Sequence, residues 1–175
     1  VRKTRFIVAI GDAVLSALIR SWVTERPWLQ LVGVCTTTDA LLRCANRNTD
    51  AVLVTDARLG GSCIIPTLAS MHLVNPGIRI VTVLEQPEGP QAAEVIRAGA
   101  MGIVAARDMA GFQEAIVKVL RGDLAMRGDL ALRLMRAAYA NRNLTAKGCG
   151  KDTGNRLNGT VKEVRVPVLS TGGRL

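Results

Sequence analysis

The sequence predicts an α/β fold built on a parallel sheet, and three observations carry that prediction. Five short apolar runs recur, at residues 6–10, 31–34, 51–55, 78–84 and 102–105. They are apolar almost throughout rather than alternating, which suits strands covered on both faces. Segments of helical character separate them, and such alternation implies parallel strands joined by right-handed crossovers.

The elements follow in order. The first helix should begin near Asp12 or Ala13, with Val14, Leu15, Leu18, Ile19 and Trp22 as one apolar stripe and Pro27 marking its end. The second covers about residues 39–46, with Thr38 or Asp39 as N-cap and Leu41, Leu42 and Cys44 as apolar surface. The third starts near Ile64, because Pro66 is acceptable only in a first turn, and stops before Asn75-Pro76-Gly77. The fourth follows Pro87-Glu88-Gly89-Pro90 and ends at Gly99, with Ala92, Val95 and Ile96 inward. The fifth spans about residues 110–121, with Phe112, Ile116, Val119 and Leu120 facing the sheet. A further helical pattern, residues 130–140, has Leu130, Leu134 and Ala138 in a stripe and Arg133 and Arg136 off it. After Asn141 the chain becomes glycine-rich and loses periodicity. The division expected is a domain at residues 1–123, a helical linker at 124–143 and a basic tail at 144–175.

Composition narrows the chemistry. A chain of 175 residues suffices for one domain with a proper core plus an appendage. Aromatics are only 3%, so Ala, Val, Leu and Ile must build that core. The four cysteines, Cys35, Cys44, Cys63 and Cys149, form no C-x-x-C pair, which argues against zinc and against a disulfide framework and for buried or partly buried free thiols. His72 is the only histidine, so histidine-dependent metal or triad chemistry is disfavoured. No apolar run approaches the roughly 20 residues that span a bilayer, and residues 6–10 are too short for the core of a signal peptide. A cytoplasmic protein without membrane contact is expected. The net charge of +9 is uneven: residues 141–175 hold 7 Lys/Arg against 2 Asp/Glu. Such a tail can attract nucleic acid or an acidic partner, although a solvated end would have the same composition.

The stretch that organises the rest is residues 50–61, where an apolar run ends in Asp56 and a glycine-containing loop follows. In open α/β sheets, chemistry sits outside the carboxyl ends of the strands. Asp56 would lie there, as a functional carboxylate or as a simple turn cap.

Several motifs, in the right order, carry a resemblance. Asp56-Ala57-Arg58-Leu59-Gly60-Gly61 is similar to D-x-R-M/L-P-G, Asn75-Pro76-Gly77-Ile78-Arg79-Ile80-Val81 to a P-x-x-R-V strand entry, and Arg97-Ala98-Gly99-Ala100-Met101-Gly102 to R-A-G-A-x-G. Over residues 5–140 the chain resembles a response-regulator receiver domain, and more narrowly the NarL/LuxR-type two-component regulators. The resemblance implies a CheY-like (flavodoxin-like), doubly wound, five-stranded parallel sheet. It also implies a phosphorelay signalling protein linked to transcription, with a histidine kinase as partner and possible homodimers.

On that resemblance Asp56 would be the phosphoacceptor, and Mg²⁺ would be held by Asp12, Asp56 and the Arg58 backbone carbonyl. Yet the usual acidic pair appears as Gly11-Asp12, or as Ile10-Gly11 if the loop register shifts by one, so at most Asp12 remains of it. The strand-four hydroxyl position falls on Leu84, with Thr82 two residues early. The strand-five aromatic position falls on Ile103 and the lysine position on Ala106, next to Arg107. Mg²⁺ wants near-octahedral oxygen ligation, so a lost carboxylate weakens the site. A phosphoryl charge of about −1.5 to −2 would lack its lysine counter-ion. An atypical receiver with an impaired phospho-switch is the expectation.

In the tail, Leu144-Thr145-Ala146 and Asn158-Gly159-Thr160-Val161-Lys162-Glu163-Val164 are similar to two fragments of the family's helix-turn-helix domain, where Lys162 would meet DNA. Only 31 residues follow Leu144, and Pro167 would break a recognition helix. The tail therefore reads as a remnant. Exposed contact candidates elsewhere are Arg97, Lys118, Arg133 and Arg136. An enzyme is the disfavoured reading: a carboxylate phosphotransferase of the haloacid type needs an aspartate where Arg58 stands, and no Walker loop, G-x-S-x-G or G-x-G-x-x-G is present. The alternative is a module that dimerises or binds protein, independent of phosphorylation and without DNA.

Overall fold

The computed structural model describes residues 2–126, Gly128, residues 131–133 and Arg136. In chain order the elements are β1 (Thr4–Ala9), α1 (Ala13–Thr24), β2 (Leu29–Val34), α2 (Thr38–Arg47), β3 (Val52–Asp56), β4 (Arg58–Leu59), β5 (Ser62–Cys63), α3 (Ile65–Val74), β6 (Arg79–Leu84), α4 (Pro90–Arg97), β7 (Ala100–Ala105) and α5 (Met109–Arg121). Five strands form one parallel sheet in the order β2-β1-β3-β6-β7. This is the expected doubly wound architecture.

Two-sided burial explains the apolar runs. In β3, Leu53 points into a core shared with α2, α3 and α4, while Val52 and Val54 point into a second core shared with α1 and α5. All three are fully buried, so no position on this strand is free to be polar until Thr55, whose hydroxyl donates to the Ala9 carbonyl at 3.0 Å. The few aromatics concentrate on the α1/α5 side. Trp22 meets Phe112 edge-on at 5.2 Å and Phe6 at 6.4 Å, with the Arg26 guanidinium 4.0 Å from the indole centre.

Local differences from the sequence expectation have simple causes. The buried stripe of α1 is Ser16, Ile19, Trp22 and Val23, whereas Val14 and Leu18 are 71% and 52% exposed. Asp12 fixes the helix start by accepting from the Leu15 N–H at 2.7 Å, and a helix resting on one sheet face buries only about 100° of its circumference. The N-cap of α2 is Thr37, one or two residues earlier than expected, its hydroxyl accepting from the Ala40 N–H at 3.3 Å. The antiparallel hairpin of β4 and β5 was not anticipated. Gly60 and Gly61 turn it with φ of 58° and 81°, the left-handed pair that a two-residue hairpin demands.

Beyond α5 the chain returns to the sheet. Gly122 adopts φ 90° and ends the helix. Ala125 then donates to the Met101 carbonyl at 2.8 Å and accepts from the Ile103 N–H at 2.9 Å, which covers the outer edge of β7. Ala125 packs into the α1/α5-side core and Met126 against the other. Gly128, residues 131–133 and Arg136 are helical, and Arg133 lies 3.8 Å from Glu88. The expected stripe residues Leu130, Leu134 and Ala138, and the whole tail with Lys162 and Cys149, lie outside the described residues. No helix among the described residues is long and apolar enough to cross a membrane.

Phe112 is 2% exposed and joins α5 to α1 through Trp22. Phe112→Ala should lower stability by about 3–5 kcal/mol, read as a reduced urea midpoint with the m-value unchanged.

Candidate functional site

Parallel register carries Asp56 to the carboxyl edge of the sheet. It is the last residue of the central strand, opposite Val83 of β6, with Ala9 of β1 opposite Thr55 on the other side. The loops after β1, β3, β6 and β7 emerge on this edge, which is where an open α/β sheet places its site.

The Asp56 carboxylate is already engaged. Its Oδ2 accepts from the Gly11 backbone N–H at 2.8 Å. Its Oδ1 is buried with no hydrogen-bond partner among the described residues. Burial raises the Asp56 pKa above the ordinary carboxylate range. The N–H groups of Gly11, Arg58 and Asp56 itself pull the other way, and the Asp12 charge adds to the rise.

Gly11 occupies the place where the resemblance expects an acid, and its lack of a side chain matters. A Cβ there would sit 3.2 Å from Asp56 Oδ2 and 3.6 Å from the Arg58 carbonyl oxygen. The backbone of the loop after β1 has therefore closed onto the carboxylate. Asp12, the remaining acid, turns its Oδ1 to the Leu15 N–H and caps α1. The Arg58 side chain points away, donating to the Gly61 carbonyl at 2.7 Å. Of the expected Mg²⁺ ligands, then, one carboxylate is bonded to a backbone N–H and the other caps a helix. Among the described residues no three His, Cys, Asp or Glu are grouped to hold a metal. Each of the two carboxylates thus has one oxygen already hydrogen-bonded, which leaves few protein oxygens to complete an octahedral Mg²⁺ shell without several waters.

The other expected positions lie close by. Leu84 (3% exposed) and Ile103 (7%) are both packed in the α2/α3/α4-side core. Thr82 is fully buried beside Thr55, and its hydroxyl has no partner among the described residues. Ala106 packs against the opposite core, its N–H donating to the Leu84 carbonyl at 3.0 Å, and Arg107 is exposed. Of the contact candidates, Lys118 pairs with Glu114 at 2.7 Å on α5, and Arg97 and Arg136 are exposed. Sequence reasoning missed the Gly11 N–H as the group facing Asp56. The signal was there, since a glycine at a strand end is a common mark of close backbone approach.

No family model matches the chain, and no curated protein matches it. Solved structures do. A LuxR-family two-component response regulator from Aurantimonas sp. SI85-9A1 is 21% identical, covers 78% of this chain and 99% of its own, and has a TM-score of 0.67. RcsB from Salmonella enterica serovar Typhimurium, bound to promoter P1flhDC with the phosphomimetic BeF3-, is 19% identical, covers 84% and 78%, and has a TM-score of 0.66. The non-phosphorylated RcsB receiver domain from Escherichia coli is 19% identical, covers 70% and 97%, and scores 0.62.

Because burial disfavours the Asp56 carboxylate, Asp56→Asn should raise the melting temperature at neutral pH. A raised folded-state pKa penalises the fold above that pKa and not below the unfolded value of about 3.9. The advantage of the variant should therefore shrink as pH falls through the Asp56 pKa and vanish near pH 3, as followed by thermal melts across pH. At identities of 19–21% the likeness is one of fold, and the fold is that of a CheY-like receiver domain of the kind found in LuxR-family response regulators.

Proposed function

We propose that the chain is a signal-transduction module of two-component type, linked to transcription and acting in the cytoplasm, whose phospho-switch is impaired. It is a signalling domain rather than an enzyme, and a histidine kinase or another signalling protein is its partner. The observation that carries this reading is the hydrogen bond from the Gly11 N–H to Asp56 Oδ2. A carboxylate must expose an oxygen to reach the phosphorus of a phosphohistidine. Here one oxygen is bonded to the backbone and the other is buried.

The surroundings point the same way. Asp12 and Asp56 supply too few free oxygens for more than weak Mg²⁺ binding. Ala106 brings no cation to a phosphoryl group. Leu84 and Ile103 offer neither a hydroxyl nor a ring to respond to one. A modification shifts a two-state equilibrium only by its differential interaction with the two states. With these residues that difference is small.

Two of the similar structures are RcsB bound to promoter DNA, and another contains RcsB dimers on DNA. On this analogy the basic tail, with Lys162, is the candidate DNA contact of this chain. A second reading, a phosphorylation-independent dimerisation or protein-binding module without DNA contact, is favoured by the exposed Val14 and Leu18 on α1.

Incubating the full chain with Mg²⁺ and a small phosphodonor should give no stoichiometric phosphoryl adduct by intact mass, alongside Asp56→Asn as control. An adduct absent from that control, accompanied by a change in amide exchange around Leu84 and Ile103, would restore an ordinary phospho-switch. Separately, retention of the chain on a DNA column should fall steeply with salt and disappear when residues 141–175 are deleted. Retention unchanged by the deletion would move the contact to Arg133 and Arg136. No retention at all would favour the second reading.

A further inference from the structure

Outside the carboxylate site, the described residues contain one close pair of potentially nucleophilic side chains. Cys35 follows β2 and is 3% exposed in the α2/α3/α4-side core. Cys44 lies on α2, partly exposed, its thiol donating to the Val32 carbonyl at 3.9 Å, and it is a close enough neighbour to perturb Cys35. The backbone makes room for them. A Cβ at Gly33 would overlap Cys44 Sγ and stand 3.9 Å from Cys35 Sγ, so Cys44 fills the space that glycine leaves open and Cys35 borders the same spot. Cys63, by contrast, is exposed on the β5 side of the hairpin, unlike the buried or partly buried thiol expected for it.

We propose that Cys35 and Cys44 form an oxidisable dithiol, a modification site that closes to a disulfide on exposure to a peroxide.

The environment assigns the order of events. Burial, and then the neighbouring Cys44, push the Cys35 thiol up to about 11, so it is a poor first nucleophile. Cys44 is the more accessible, on the outer side of the pair, with the Asn48 side-chain amide 3.9 Å from its Sγ. Cys44 sulfur attacks one peroxide oxygen. An S–O bond forms, the O–O bond breaks, and the released hydroxide leaves as water with the thiol proton. Cys35 sulfur then attacks the Cys44 sulfenic acid. The S–S bond forms, the S–O bond breaks, and the second water departs with the Cys35 proton. Two thiols lose two electrons and one peroxide gains them.

The position gives the step a structural consequence. Cys35 is anchored by its N–H to the Val8 carbonyl at 2.8 Å. The next carbonyl, Thr36, lies 3.2 Å from the place a Gly60 Cβ would take, in the turn beyond Asp56. A disulfide would tie α2 to the end of β2 next to that turn.

Trypsin makes the test direct. It cleaves after Arg20, Arg43 and Arg47 and is blocked at Arg26-Pro27, so the two cysteines fall in the separate peptides 21–43 and 44–47. The folded full chain, treated with hydrogen peroxide and then alkylated, should yield these two peptides linked, with the mass of two hydrogens lost. The link should be reversed by a thiol reductant and absent from Cys44→Ser. Because the pair is also close in sequence, the rate is compared with that in guanidinium. The folded chain should be faster by about tenfold or more, since it holds the sulfurs together. Cys44 carried instead to sulfinic acid with no link, or equal rates in the folded and unfolded chain, would overturn the proposal. The wild-type measurement stands whether or not the serine variant folds.

Discussion

The constraint on which the rest depends is that β3 lies in the middle of a parallel sheet covered on both faces. It pairs with β1 on one side and β6 on the other, and Val52, Leu53 and Val54 are sealed in two separate cores. A parallel strand in that position leaves only its carboxyl end for polar chemistry. The same pairing brings Gly11, just beyond β1, against Asp56, just at the end of β3. Site geometry is thus a direct outcome of sheet register.

That closeness explains why the acceptor edge has its present character. With Gly11 there, backbone and carboxylate meet at 2.8 Å, and a Cβ would stand only 3.2 Å from the same oxygen. A side chain at this position would need the Asp56 carboxylate or the loop to give by a few tenths of an ångström. The missing carboxylate and the occupied Asp56 oxygen are one structural fact, and so are the helix cap at Asp12 and its loss as a free ligand.

Much of this was legible in the sequence because burial on two faces writes itself as unbroken apolar runs. All five strands of the main sheet and all five helices described stand where those runs and the Pro and Gly punctuation put them, to within a few residues. Counting along those runs puts Asp56 and Leu84 at strand ends and Ile103 inside the last strand, which is where they lie. Three things escaped. The rotation of α1 depends on its cap and on which sheet face receives it, so Val14 and Leu18 could not be told from the buried stripe by composition. The Gly60-Gly61 hairpin was signalled by its dipeptide, but the strands flanking it are only two residues long. The contact between Gly11 and Asp56 joins residues 45 apart, and only the folded sheet brings them together.

A switch needs two packings within a few kcal/mol of each other and a stimulus that tells them apart. On the proposed reading, Leu84 and Ile103 bear on the second condition most. Each is an aliphatic side chain in a close-packed core, where moving it out to solvent would cost about 1.5–3 kcal/mol. Neither carries an atom that a phosphoryl oxygen could bond. Thr82 has the hydroxyl, but it is fully enclosed one residue behind the level of Asp56. Ile103 is restrained in a further way, because its own N–H donates to the Ala125 carbonyl of the segment returning from α5. Moving Ile103 would therefore disturb the covered edge of β7 and the seat of Met126 as well as the core. The strand that carries Ile103 is thus joined both to the core and to the segment returning from α5, and the proposed insensitivity of this face to Asp56 would rest on both attachments.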